Sequence, residues 1–305
     1  MTSAALTSFW SWQLVGALIL NAIVQAVTIG AFAARIAGVI TRRIAISISL
    51  FSLFVTASRL ANLVYTPLLG GISDVARNVV AHADFLKTPA IAEPALAQYE
   101  WQLRAIVFAG TIGTMIGGIL LPTFMYLFVR GIGSFERLDS LPKALLRMFD
   151  PAVLRDVFRS LRAPNPASWG RFKLAHVPAK LLIANTVLQS MYAIGVVAAV
   201  YAAVRDPLHA TTATLLSGIV NGIGTIAFTL FVDPTSAQIV DQATHGKRSL
   251  DDVKSMVFYL TATTIAGTLI SQLFLYPAAL VIGAVARLVN HGCGSLIVRF
   301  PLASR

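Results

Sequence analysis

Apolar residues run along this chain in six long stretches, roughly 12–34, 44–65, 103–130, 181–204, 212–232 and 256–286. A bilayer's hydrocarbon core is about 30 Å thick, and about 20 apolar residues cross it as a helix. Each stretch is long enough. The pattern therefore predicts an all-α polytopic membrane protein of about six transmembrane helices, forming a single transmembrane domain over 1–305. The first stretch has no basic region before it and no small-residue cleavage site before Arg35, so it reads as a span, not as a removed signal peptide.

The polar segments between the stretches have their own patterns. Residues 74–101 carry charges together with Pro89 and Pro94. Asp74 to Lys87 reads as a short amphipathic helix with Val75, Val79 and Val80 on one face. In 142–162, Asp150-Pro151 makes a helix start, an N-cap followed by a proline at the first helical position. Beyond it, Val153, Leu154, Val157, Phe158 and Leu161 form an apolar face and Arg155, Arg159 and Arg162 a basic one. Such a helix lies on a membrane surface. One reading makes it an anchor on anionic membrane lipids, and another makes it a recruiter of an anionic lipid substrate.

Composition sharpens this. Hydrophobic residues make up 56% of the 305 and charged residues only 12%, where a soluble domain carries about a quarter charged residues. Mean hydropathy is +0.75. An ordinary water-soluble enzyme is excluded, and so is a disordered chain. The one cysteine, Cys293, allows no intrachain disulfide and no cysteine-based metal site.

A net charge of +11 in a soluble protein would suggest nucleic acid, but here it gives an orientation and no nucleic-acid partner. Arg35, Arg42 and Arg43 follow the first stretch, ten basic residues lie from Arg130 to Lys180, and Lys247, Arg248 and Lys254 precede the last. All fall on one side. Cytoplasmic loops are enriched in Lys and Arg, so that side is placed inside, with both termini outside.

The chain also echoes itself. Pro67 is followed by Asp74 and Pro234 by Asp241, at the same spacing. Thr111–Thr114 (TIGT) is echoed by Thr264–Thr268 (TIAGT), with Pro122 and Pro277 downstream. The chain thus divides into a first three-helix half, 1–130, a basic cytoplasmic loop, 131–180, and a second three-helix half, 181–305. Three spans per half would insert the halves in opposite senses, the plan of many secondary transporters.

Polar groups inside the stretches are the candidates for chemistry. Arg59 lies fifteen residues past Ile44, about 22 Å along a helix axis. An arginine at the bilayer centre costs about 2.5–3.5 kcal/mol on insertion scales, and less near an interface. It either snorkels to the interface or faces a cavity where its planar fork grips an oxyanion. Asn62 shares its helix face. Gly110, Gly113, Gly117 and Gly118, and then Gly218, Gly222 and Gly224, form small-residue faces suited to close helix packing or to a flexible gate. Asp233-Pro234 ends the fifth stretch, and Asp241, Lys247 and Arg248 follow. The acids are either caps or members of a gating pair or coupling group. No HExxH, P-loop or GxSxG motif occurs and the five histidines are scattered, so the reading is a non-enzyme with no cofactor or metal.

Several runs resemble the Amj family of bacterial lipid II flippases. They are Arg35-x-x-Gly38 leading to Ile46-Ser-Ile-Ser-Leu-Phe51, then Ser58-Arg59-x-x-Asn62-Leu63 and Pro67-Leu68-Leu69-Gly70 with Asp74. Val232-Asp233-Pro234-Thr235 with Asp241, and Gly246-Lys247-Arg248-Ser249, belong to the same resemblance. It implies an inner-membrane transporter that moves the undecaprenyl-diphosphate-linked peptidoglycan precursor to the outer leaflet, with a role overlapping that of MurJ. On that reading Arg59 and Asn62 contact the headgroup, and Arg35 and Arg248 capture it at the inner leaflet. Asp74, Asp233 and Asp241 gate or orient those arginines. An ion-coupled small-solute transporter and a non-transporting scaffold of envelope assembly remain as alternatives.

Overall fold

A computed structural model describes residues 10–85, 88–138, 155 and 174–297. Among the described residues are nine α-helices and no strand: α1 (Trp12–Ala31), α2 (Ala33–Thr41), α3 (Ile44–Phe85), α4 (Pro89–Ile119), α5 (Leu121–Leu138), α6 (Ala179–Arg205), α7 (Ala210–Phe231), α8 (Asp233–Thr244) and α9 (Leu250–Ile297). Short 3₁₀ turns lie at Leu174–His176 and Pro207–His209. Six helical runs are long and apolar enough to cross a membrane. The basic stretch 142–162 lies outside the described residues, apart from Arg155.

The solvent can be read from the burial pattern. The helices expose leucines, with Leu63, Leu215 and Leu273 each more than two-thirds accessible, and bury Thr111, Thr114, Asn185, Thr264, Thr268 and Ser271. A water-soluble bundle does the reverse. Lipid tails are as apolar as leucine, so small and polar side chains hold the helices together from within.

Prolines and glycines set the helix boundaries differently from the apolar stretches. Pro67 does not end the second span. The helix runs through it to Phe85, taking in the segment that read as a separate amphipathic helix. Pro67 removes the N–H that would meet the Leu63 carbonyl, while the Thr66 hydroxyl donates to the Asn62 carbonyl at 2.8 Å. Transmembrane helices tolerate proline where neighbouring helices and short polar side chains support the backbone around it. The third span starts at Pro89, well before the apolar stretch does, and Pro94 lies inside it. Near Pro122 the helix breaks at Leu120, whose N–H turns back to the Gly118 and Ile116 carbonyls. A similar tight turn separates α1 from α2, where the Phe32 N–H reaches the Ile29 carbonyl.

Two pairs of helices pack backbone to backbone. In the α1/α4 pair, a Cβ on Gly113 would lie 2.1 Å from the Ala22 carbonyl oxygen, and one on Gly117 would lie 2.6 Å from that of Ala26. In the α6/α9 pair, a Cβ on Gly267 would lie 2.6 Å from the Thr186 carbonyl oxygen. Each crossing carries an asparagine clamp. Asn21 Nδ2 donates to the Ile106 carbonyl at 2.8 Å, and Asn185 Nδ2 donates to the Leu260 carbonyl at 3.0 Å. The register is the same in both pairs. The crossing residue directly follows the asparagine, and the glycine lies seven residues beyond the clamped carbonyl. The glycines of α7 behave otherwise, since a Cβ at Gly218 or Gly222 would meet nothing within 4 Å.

Between the pairs, α4 and α9 run antiparallel. Arg104 of α4 exchanges hydrogen bonds with Gln272 of α9, while Gly118 lies against Thr261. The most buried span is α6, and the least buried are those of α3 and α7.

Asn185 is fully buried, and its amide also meets the Thr263 and Thr264 hydroxyls. Asn185→Ala leaves those acceptors short of a donor and is expected to destabilise the fold by about 1–3 kcal/mol. Asn21→Ala, which removes the matching clamp, is expected to cost about as much. Thermal unfolding in detergent measures both, and a large effect at only one site would show that the clamps are not equivalent.

Candidate functional site

At one end of the bundle α2, α8 and the start of α9 meet. Arg35 lies near the start of α2, just past the tight turn at Phe32. Asp233 is the first residue of α8, where Pro234 fits the first turn because it needs no donor there. An acid at a helix N-terminus is also favoured by the helix dipole. The two residues meet across 198 positions of sequence: Arg35 Nη2 donates to Asp233 Oδ1 at 3.0 Å. The arginine side chain is only 13% exposed. Its guanidinium lies 5.3 Å from the Phe32 ring centroid and 5.8 Å from that of Phe51, within cation–π range. Its Nη1 is buried and has no hydrogen-bond partner among the described residues.

This is an unusual balance. A guanidinium offers five N–H donors in a planar fork, and here one carboxylate oxygen takes only part of that capacity. Aromatic walls hold the group without satisfying its N–H groups.

The other sequence-derived candidates occupy separate places. At the same end, Arg248 Nε donates to Gln242 Oε1 at 2.7 Å and its Nη1 to the His176 carbonyl at 2.9 Å. Asp252 pairs with the His176 ring and accepts from the Ser249 N–H. Arg248 therefore fastens the α8–α9 loop to the 3₁₀ turn ahead of α6. Asp241 is exposed and lies 3.3 Å from His245. Asp74 pairs with Arg77 at 2.8 Å on an exposed face of α3, thirty residues and about 45 Å along that helix from Ile44. Asn62 is exposed on the same helix, beside lipid-facing Leu63. Arg59 belongs to α3, but its side chain lies outside the described residues. Of the seven candidates, the structure brings Arg35 and Asp233 together.

A second polar cluster, toward the other end, was missed in the sequence. Arg104 Nε and Nη2 both donate to Glu100 Oε1, at 2.9 and 2.7 Å, and Tyr201 donates to Glu100 Oε2 at 2.6 Å. Arg205 stacks over Tyr201 and Tyr276, its guanidinium carbon 5.7 and 4.8 Å from the ring centroids. A cavity of about 700 Å³ adjoins this cluster, lined by Ala97, Glu100, Trp101, Arg104, Ala105, Phe108 and Gln272. The available signal was an acid and an arginine at i and i+4 at the edge of an apolar stretch.

The fold and these buried charges define a polytopic α-helical membrane protein with ionic sites toward both ends of its bundle. A family profile described as Amj, alternate to MurJ, matches residues 20–286. The chain belongs to the Amj family. It is 33% identical over 251 residues, 82% of this chain and 87% of the relative, to a protein of Bacillus subtilis (strain 168) named Lipid II flippase Amj. No solved structure matches the chain.

Proposed function

We propose that this protein moves lipid II, the undecaprenyl-diphosphate-linked peptidoglycan precursor, from the inner to the outer leaflet of the bacterial cytoplasmic membrane. The observation that carries the reading is the Arg35–Asp233 pair. It is an arginine held among aromatic rings with a buried donor to spare, and a half-exposed carboxylate occupies one corner of its fork. A diphosphate that displaces Asp233 receives a charge-assisted, bidentate grip. The polyprenyl chain stays in lipid throughout, since only the headgroup has to cross. No enzymatic step is required.

Orientation follows from charge. Arg42, Arg43, Lys247, Arg248 and Lys254 gather at the Arg35 end, and cytoplasmic faces are the basic ones. Arg35 then captures the headgroup at the inner leaflet, and both termini lie outside. The matched Asn–Gly crossings and the antiparallel α4 and α9 support two inverted halves, α1–α4 and α6–α9. Rocking of one half against the other carries the site from side to side. Arg35 and Asp233 belong to different halves, so their ion pair closes the inner end, and the arriving diphosphate opens it.

The test is a translocation assay in proteoliposomes with lipid II in both leaflets, in which an externally added enzyme consumes the outer pool. Wild-type protein is expected to expose the inner pool over time, with or without an imposed proton gradient or potential. If folded protein exposes none under any of these gradients, the flippase reading falls, and a small-solute transporter or a scaffold takes its place.

A further inference from the structure

The cavity beside Glu100 and Arg104 is not part of the Arg35 site. Its lining residues Ala97, Trp101, Arg104, Ala105 and Phe108 recur along α4 at helical spacing, so they form one face about 16 Å long. Trp101 is 66% exposed and Phe108 51%. The wall is thus aromatic and apolar, with a charged group set into its middle. Its far side is α9, through Gln272.

The spare donors at the middle of the wall favour an anion. Arg104 and Glu100 are the charged residues of the lining, and Arg205 lies on the nearby Tyr201 and Tyr276 rings. Both oxygens of Glu100 are already engaged, one by Arg104 and one by Tyr201. Arg104 spends a third N–H on the Gln272 carbonyl, and Gln272 Nε2 returns a bond to the Arg104 carbonyl at 3.0 Å. Of five guanidinium N–H groups, two remain at the groove. The cluster is also built to last: Glu100, Arg104 and Gln272 hold one another in place across two helices. An arginine fixed this way has lost its rotamer freedom before any ligand arrives, which favours binding.

We propose that this groove is a second lipid-binding site. It would take a polyprenyl amphiphile with a phosphate or diphosphate headgroup, the headgroup on Arg104 beside Trp101 and the chain along Ala105 and Phe108. The inference rests on the flippase reading for its meaning. Tyr201 lies one turn from the end of α6 that is remote from Arg35, so the groove receives the lipid on the release side. The occupant is the transported lipid, because the lining joins an apolar, aromatic face to an arginine that keeps N–H donors beyond those taken by Glu100 and Gln272.

Full-length protein in nanodiscs would be titrated with farnesyl diphosphate, a short prenyl diphosphate. The tryptophan fluorescence lost in Trp101→Phe isolates the signal of the groove. Saturable binding is expected. Farnesol, without the charge, and inorganic diphosphate, without the chain, are each expected to bind at least about tenfold more weakly. Arg104→Gln should weaken binding by a similar factor. Ala105→Trp fills the groove and leaves the ion cluster untouched; because it adds an indole of its own it is read with radiolabelled farnesyl diphosphate, whose binding it should abolish. Absence of saturation, insensitivity to Ala105→Trp, or equal competition by phosphatidylglycerol would each overturn the site. The lipid II assay run beside it separates the two readings. Failure of wild-type transport with intact groove binding sinks only the flippase reading. Full transport by an Ala105→Trp protein that no longer binds the probe sinks only the groove's place on the path.

Discussion

Arg35→Gln is expected to abolish transport of lipid II, on the function proposed above, while the protein still inserts and accumulates. Glutamine keeps much of the length and some hydrogen-bonding capacity, but it loses the charge and the two-pronged grip that a diphosphate needs. Charge-assisted hydrogen bonds are about twice as strong as neutral ones, so transport should fall at least about a hundredfold if two such bonds are lost. Asp233→Asn tells a different story. It leaves the arginine in its aromatic frame, with 13% of its side chain exposed, but without its counter-charge. Removing a partner from a largely buried donor costs about 1–3 kcal/mol, so thermal stability falls, whereas binding of a prenyl diphosphate at this end tightens because its competitor is gone. A double exchange, Arg35→Asp with Asp233→Arg, should restore stability in part and transport not at all. If the exchanged protein transports normally, the pair is a structural tie and Arg35 does not touch the substrate.

Gly113→Val is expected to prevent accumulation of folded protein. The first added carbon would lie 2.1 Å from the Ala22 carbonyl oxygen, and the atoms it meets are backbone, which has nowhere to turn. Overpacking in a well-filled core costs about 1–3 kcal/mol, and this contact is closer than side-chain adjustment can relieve. Gly267→Val faces Thr186 in the same way and should fail for the same reason. Gly218→Val, whose Cβ would meet nothing within 4 Å, is the internal control and should fold normally. Expression, detergent extraction and size-exclusion profiles of the three proteins decide the matter. A well-folded Gly113→Val protein would mean that α1 and α4 do not cross so closely in the membrane.

The six spans were legible because hydrocarbon thickness imposes a length that few other constraints imitate. Their ends were less so. Glu93 and Glu100 pulled the start of the third span inward in the sequence, yet α4 is helical from Pro89 onward. Glu100 and Arg104 offset each other's charge within one turn, and hydropathy counts charges without knowing which are paired. Pro67 misled in the opposite way. A proline stops a helix in water, but in a bundle the surrounding contacts hold the helix through the lost bond.

The site was legible in part. Arg35 and Asp233 stood out as charges at span ends, but nothing in the sequence could place them 3.0 Å apart across 198 residues. Asn21 and Asn185 drew no notice, because a lone amide in an apolar stretch looks like any tolerated polar residue. Their meaning lies in which carbonyl each one reaches. The glycine faces show the same limit. Gly113 and Gly218 read alike, and only the neighbouring helix distinguishes a crossing from an open surface.

α9 has a mechanical consequence. Its 48 residues form a continuous helix, about 72 Å long at 1.5 Å per residue, more than twice the thickness of the hydrocarbon it passes through. Such a rod must stand well out of the bilayer or lie steeply inclined within it. Its first turn is moored by Asp252 to the His176 ring, and Gln272, midway along, is tied to Arg104. A stiff rod held at two points turns a small tilt at one face into a sideways displacement at the other. Pro277, five residues past the second mooring, is the proline within it. There one lost hydrogen bond makes a soft joint, and beyond it Arg287 meets Asp206 and the Asn290 amide donates to Thr212, so a bend there carries the start of α7 with it.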